Sequence, residues 1–253
     1  MAHALINKLT ARDRRLGSFR YFEILVNIFV VVLLISNLVG QKIVAIPLHL
    51  GSWHWTANVS GAQVLFPITY IFGDVFTEVY GYSGSRRAIW MGFFCSLLMM
   101  LMGLFVVALP ADPNWHNQGA FQAVFYVVPR MIAASLIAFW CGEFANSYTL
   151  ARMKLWTDGK MLWTRTIGST VVGQFVDSIL VMVLAFSFTM PWHVILNLII
   201  SGYLAKVIYE AAATPFTYLI VNFLKRSEGV DVYDQGTDFN PFGAEAIADE
   251  VAS

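Results

Sequence analysis

Apolar residues gather into long blocks, at about 22–46, 62–81, 87–109, 121–148, 165–189 and 193–224. A helix that crosses a bilayer needs about 20 mostly apolar residues, and each block reaches that length. The pattern therefore predicts an all-α membrane protein with six transmembrane helices. Glycines and prolines mark the joints, among them Gly51, Gly61, Gly81, Pro110, Pro113 and Pro191. The first block follows a basic stretch, "KLTARDRRLGSFR". It is too long for a signal-peptide core, and no small-residue cleavage site closes it, so it reads as a retained first helix.

Polar positions inside the blocks are few and ordered. The second block carries Tyr70, Asp74 and Glu78 four residues apart, a spacing that puts them on one helix face. The fifth block aligns Thr170, Gln174 and Asp177, and the sixth aligns Tyr203, Lys206 and Glu210. Asn37 and Gln41 share a face of the first. Arg130 lies deep in the fourth, after Pro129, while Glu143 points off the Arg130 face toward the cytoplasmic end with Asn146 and Ser147. A charge at the centre of a spanning helix costs roughly 2.5–3.5 kcal/mol on insertion scales. Charges on several helices are tolerated only if they face one another or water, so these residues are expected to point inward. Lys42 is the exception, because it can snorkel to the outer interface.

Mutual pairing would explain part of this set as a lock on the bundle. It does not explain all of it. The acids Asp74, Glu78, Glu143, Asp177 and Glu210 outnumber the bases Lys42, Arg130 and Lys206. The surplus calls for a bound cation, a proton or a ligand that donates hydrogen bonds, and intramembrane charges of this kind mark a substrate or ion path. "GDVFTE" (73–78) and "GQFVDS" (173–178) also echo each other in the second helix of each half, as an inverted repeat would.

Composition agrees. The chain of 253 residues is 58% hydrophobic and 13% charged, whereas soluble domains are about a quarter charged. The formal net charge is zero, which gives nucleic acid no electrostatic purchase. Cys95 and Cys141 supply neither a disulfide framework nor a metal set. His49, His54, His116 and His193 match no ligand spacing and sit beside interfacial tryptophans, so no metal or cofactor is expected. Of the sixteen Lys and Arg, all but Lys42, Arg130 and Lys206 fall in segments on one side of a six-helix layout. By the positive-inside rule that side is cytoplasmic, and both termini lie there. Three regions result: a basic cytoplasmic N-terminal segment (1–20), a six-helix transmembrane domain (21–226) and an acidic, mobile cytoplasmic tail (227–253).

Several stretches resemble one family. "SNLVGQK" (36–42), "FPITYIFGDVFTEVYGYSGSRRAIWMGF" (66–93), "PRMIAASLIAFWCGEFANSYTLARMK" (129–154), "RTIGSTVVGQFVDS" (165–178) and "YLAKVIYEAAATPFTYLIVNFLK" (203–225) look like the queuosine precursor transporter family, also called putative vitamin uptake transporters. The resemblance spans about residues 20–226. It implies a bacterial inner-membrane carrier that imports 7-deazaguanine nucleobases, with a six-helix plan similar to the substrate-binding subunits of energy-coupling-factor transporters. Such a base offers N–H donors that suit a carboxylate and a carbonyl that suits Lys, Arg, Asn or Gln. The charge argument then nominates Asn37, Gln41, Tyr70, Asp74, Glu78, Arg130, Gln174, Asp177, Tyr203, Lys206 and Glu210 as substrate-binding residues. Glu78 or Asp177 would take the donor edge, and Gln174, Asn37 or Lys206 the carbonyl. Arg130 and Glu210 would hold register or respond to a proton.

Two other readings compete. A subunit of a larger ATP-driven vitamin importer would share the layout. An intramembrane aspartyl protease could use Asp74 with Asp177, but "IFGD" lacks the first glycine of the expected Gly-x-Gly-Asp loop, and "HExxH" and "GxSxG" are absent, so an enzyme is not expected. Small residues such as Ala133, Ala134 and Gly168 leave room for a homodimer contact within the lipid bilayer.

Overall fold

The structure, a computed structural model, describes residues 7–9, 19–40, 42–50, 53–125, 129–188 and 190–243. In chain order it places β1 (Asn7–Leu9), α1 (Phe22–Val39), β2 (Ile43–Leu50), β3 (Trp53–Ser60), a 3-10 turn (Gly61–Val64), α2 (Phe66–Ala108), α3 (Gln118–Phe125), α4 (Pro129–Trp156), α5 (Leu162–Phe186), α6 (Trp192–Glu228) and β4 (Val230–Val232). Among the described residues, four helical stretches are long and apolar enough to cross a membrane: Phe22–Val39, Ile68–Ala108, Leu162–Phe186 and Trp192–Glu228.

The first apolar block is not helical throughout. α1 stops at Val39, and Ile43–Leu50 instead pairs antiparallel with Trp53–Ser60, in a register that sets His49 opposite His54. Ile43, Val44 and Ile46 are β-branched, and Pro47 cannot donate a helical hydrogen bond, so this run favours an extended strand. The fourth block is also divided, between α3 and α4.

The second and third blocks form two helical arms of α2 joined at a break at Gly81 (φ 74°, ψ 178°), a conformation glycine adopts without penalty. There the chain folds back. The Phe29 ring lies 6.0 Å from Phe72 and 5.6 Å from Phe76, and a Cβ placed on Gly92 would sit 3.1 Å from the same ring. An unbroken helix would hold Phe76 and Gly92 about 24 Å apart. Arm 66–80 and arm 82–108 therefore lie side by side against α1.

Burial is inverted relative to a water-soluble domain. Ile24, Ile28, Val31 and Ile35 of α1 face outward, as do Val171, Val172 and Phe175 of α5. The buried stripe of α5 is instead polar: Arg165, Thr166, Ser169, Thr170, Gln174 and Ser178. With lipid as solvent, apolar side chains gain nothing by leaving the outside, whereas polar groups must find partners within. An apolar cluster survives at one end, where Phe22, Val26 and Phe29 meet Val75, Phe76, Val79, Val221 and Leu224.

α4 and α5 approach through glycine. A Cβ on Gly173 would stand 2.7 Å from Asn146 Cβ and 2.9 Å from the Gly142 carbonyl oxygen; one on Gly142 would stand 2.8 Å from Asp177 Cβ. Neither obstacle is a flexible side-chain end. Gly173→Ala should therefore push the two helices apart and lower stability by about 1–3 kcal/mol, measurable as a drop in thermal unfolding temperature in detergent.

The chain beyond α6 departs from the expected mobile tail beginning at 227. α6 runs to Glu228, Gly229 takes the left-handed conformation (φ 69°) that closes a helix, and residues 230–243 pack back on the bundle. β4 pairs parallel with β1, setting Lys8 opposite Asp231. Asp234 accepts from the Tyr82 backbone N–H at 3.0 Å, the Tyr82 hydroxyl donates to the Phe239 carbonyl, Arg86 to that of Asn240, and the Trp90 indole to that of Pro241. Phe239 packs edge-on against Tyr82 and Tyr148, and Phe242 lies tilted against Trp90 and Trp140. The acidic residues here have specific donors waiting on the helices. The last ten residues lie outside the described ones.

Candidate functional site

Two buried charge clusters stand along the inner face of arm 66–80. The first centres on Glu78, which is fully buried. Arg165 holds its carboxylate with two nitrogens, at 2.8 and 2.7 Å, and Lys225 adds a third contact at 2.5 Å. Lys154 lies 3.4 Å away and donates to the Glu78 carbonyl, to Asp231 and to the Val232 carbonyl. Lys225 also reaches Asp231, at 2.8 Å. Four segments are thereby tied together: α2, the end of α4, the start of α5, and α6 with its following strand. The same end holds a second carboxylate clasp, in which Glu228 accepts from the backbone N–H groups of Arg20 and Tyr21 at the start of α1, where a helix favours negative charge. Burial pushes the nearby Tyr233 phenol up from its ordinary range, helped by Asp231, and the Lys154 ammonium lies over its ring at 4.8 Å.

The second cluster has the opposite character. Asp74 of α2 and Glu210 of α6 are both buried and are electrostatic neighbours. Asn146 of α4 donates to Asp74 Oδ1 at 3.5 Å. Asp74 Oδ2, Asn146 Oδ1, Gln174 Oε1 and both carboxylate oxygens of Glu210 have no hydrogen-bond partner among the described residues. Glu143 leans on Gly73, its carboxylate 3.1 Å from where a Cβ would be, and is an electrostatic neighbour of Asp177, Glu210 and Lys206. Lys206 is ion-paired with Asp177, and the buried Tyr70 faces Asp177, Glu143 and Glu210. Every orphaned atom among these is an acceptor. Each buried acceptor without a donor costs about 1–3 kcal/mol, a cost that a group rich in N–H donors would relieve.

Of the residues nominated from sequence, Tyr70, Asp74, Asp177, Lys206 and Glu210 are gathered here. Gln174 follows Gly173, the point where α5 touches Asn146. Glu78 is not with them, because its oxygens are taken by Arg165 and Lys225. Tyr203 packs its ring 6.0 Å from the outward-facing Phe175. Asn37 donates to Ser96 at 3.4 Å and lines a separate cavity of about 270 Å³ with Ser96, Ser135 and Val181. Gln41 and the Arg130 side chain lie outside the described residues.

Sequence reasoning missed Asn146 and Glu143 as members. Their i, i+3 spacing beside Gly142 was a readable sign of a close-packed polar face. It also assigned Lys154, Arg165 and Lys225 to the flanking positive charge, where nothing marked them as partners of Glu78. Among the described residues no set of His, Cys, Asp and Glu is arranged to hold a metal ion.

Apolar exteriors around a polar interior define a multi-pass membrane protein. Residues 60–220 match the family described as "Putative vitamin uptake transporter", and the chain belongs to that family. It is a transporter. The chain is also similar to the "Probable queuosine precursor transporter" of Bacillus subtilis (strain 168), 27% identical over 167 residues that cover 66% of this chain and 73% of the relative. No solved structure matches.

Proposed function

We propose that this protein imports 7-deazaguanine-type precursors of queuosine across the bacterial inner membrane. The observation that carries the reading is the convergence of unpartnered acceptors from α2, α4, α5 and α6 on the Asp74–Glu210 pair. The donor edge of a deazaguanine, an N1–H beside an exocyclic amine, suits a carboxylate that lacks donors. The name of the Bacillus relative, a probable queuosine precursor transporter, supports the same substrate class. Counting the two arms of α2 separately, with α1, α4, α5 and α6, gives six spans, and the segregation of Lys and Arg supports cytoplasmic termini. The plan is then similar to that of the substrate-binding subunits of energy-coupling-factor transporters.

Uptake of labelled 7-cyano-7-deazaguanine into cells that lack the genes for its synthesis tests this directly. Wild type should restore uptake. Asp74→Asn and Glu210→Gln should each reduce it at least tenfold, by removing an acceptor that the donor edge uses, and should leave protein yield intact. Normal uptake by both variants would defeat the site, and no uptake by wild type would defeat the substrate.

A further inference from the structure

We propose that the cavity at Asn37, Ser96 and Ser135 is an entry subsite, in which an uncharged planar nucleobase pauses before it reaches the orphaned acceptors deeper in the bundle. This rests on the substrate class and the membrane orientation proposed above and extends them to the route of entry. The cavity measures about 270 Å³ and lies where the last turn of α1, arm 82–108, α3, α4 and α5 meet. Pockets for drug-sized ligands run from roughly 300 to 1,000 Å³, so this one suits a small molecule such as a base without its sugar.

Its place along the bundle gives the cavity that role. α4 and α5 touch at Asn146 with Gly173 and at Gly142 with Asp177, the register of an antiparallel pair. Along α5, Arg165 of the Glu78 cluster comes first, Asp177 follows about 18 Å on, and Val181 of the cavity wall one turn later, about 6 Å. α4 repeats the order from its other end. Ser135 of the cavity comes first, Glu143 about 12 Å on, and Lys154 of the Glu78 cluster about 16 Å beyond that. The acceptors thus lie between a cavity and an ion cluster. The cluster ties α2, α4, α5 and α6 together, and the segregation of Lys and Arg assigns that closed end to the cytoplasm. The cavity end is then the outer one.

The lining fits a wet, neutral site. Asn37 and Ser135 are exposed on helices that stand in lipid. An amide or hydroxyl facing acyl chains goes unmet, whereas a water-filled recess satisfies it. Ser96, buried in the cavity wall, accepts one Asn37 N–H at 3.4 Å. That leaves the amide a carbonyl and a second N–H, the acceptor and donor that a nucleobase edge complements. Phe125, Phe186 and Met99 supply apolar wall for the ring faces, and Phe125 is itself seated on arm 82–108, where a Cβ on Gly103 would meet its ring at 2.6 Å. No charged side chain lines the cavity among the described residues. A phosphate or carboxylate would lie there unpaired, at high cost; a neutral base would not.

Thiol labelling tests this on the full-length protein in right-side-out membrane vesicles, with Cys95 and Cys141 replaced by serine. Ser135→Cys should react with a membrane-impermeant thiosulfonate added outside, and Asn37→Cys provides a second reporter if the first does not reach the membrane. Saturating 7-cyano-7-deazaguanine should slow the reaction severalfold, and guanosine monophosphate should leave it unchanged. Ser135→Trp, which fills the cavity, should cut uptake of the labelled base severalfold while protein yield holds. Reporters that stay unlabelled from outside overturn the proposal, as does normal uptake by Ser135→Trp. Labelling that the base does not slow, in a protein whose wild type takes the base up, overturns it too and keeps the substrate reading. Equal protection by the monophosphate overturns the assignment of a neutral ligand. Labelling from outside, with neither protection nor wild-type uptake, defeats the substrate and supports the outer opening.

Discussion

Glu78→Gln is expected to lower stability by about 3–5 kcal/mol, the usual consequence of removing one member of a buried ion cluster. The amide keeps the shape and removes the anion. Arg165 and Lys154, each only 1% exposed, would then be left with Lys225 around a neutral group, with Asp231 the acid still paired with the two lysines among the described residues. Thermal unfolding of the purified variant, together with its yield in membranes, measures this. The same experiment separates two roles. If Glu78 bound substrate, the amide would fold normally and fail only in uptake; a stable, inactive Glu78→Gln would therefore sink the structural assignment. The opposite outcome is expected at Asp74 and Glu210, where neutralisation relieves crowded acids and should cost little stability.

Ending the chain at Gly229 should be nearly as damaging. Such a truncation would cost nothing if the acidic segment were a solvated tail. Here Lys154 would lose Asp231 and the Val232 carbonyl, the Tyr82 backbone N–H would lose Asp234, and the Trp90 indole would lose the Pro241 carbonyl. Each buried group left unmet costs about 1–3 kcal/mol, so a total loss of about 3 kcal/mol or more is expected after water fills some of the gaps. Unfolding temperature and the monodisperse fraction after purification provide the check. A truncated protein that melts with the full-length chain would show the segment to be a passive appendage. Asp234→Ala probes the same contact without shortening the chain, and a smaller loss in the same direction is expected.

The residues involved explain how far inference could travel along the chain. Asp74 and Glu78 look equivalent in sequence: same face, same helix, one turn apart. Their environments differ because Arg165 and Lys225 arrive beside one and Glu210 beside the other. Those partners lie 87 and 147 positions from Glu78, and no local pattern encodes their arrival. The β2–β3 hairpin was hidden for another reason. Short apolar runs satisfy helix and strand alike, so hydropathy carried the first block past Val39. The docking of Asp231 and Asp234 was hidden again by a pattern that reads acid runs as solvated, although the basic and N–H donors were present elsewhere in the chain.

What could be read directly was the sorting of residues between lipid and interior. A bilayer charges each side chain its own transfer cost, a property of that residue alone, so the apolar blocks and inward-facing polar positions follow from composition and period. Which acid meets which base is a property of pairs. It depends on how far each helix is rotated, how deep it sits and where the chain doubles back, as at Gly81. Only folding sets those quantities, and it is folding that makes Glu78 a clasp and leaves Asp74 and Glu210 short of donors.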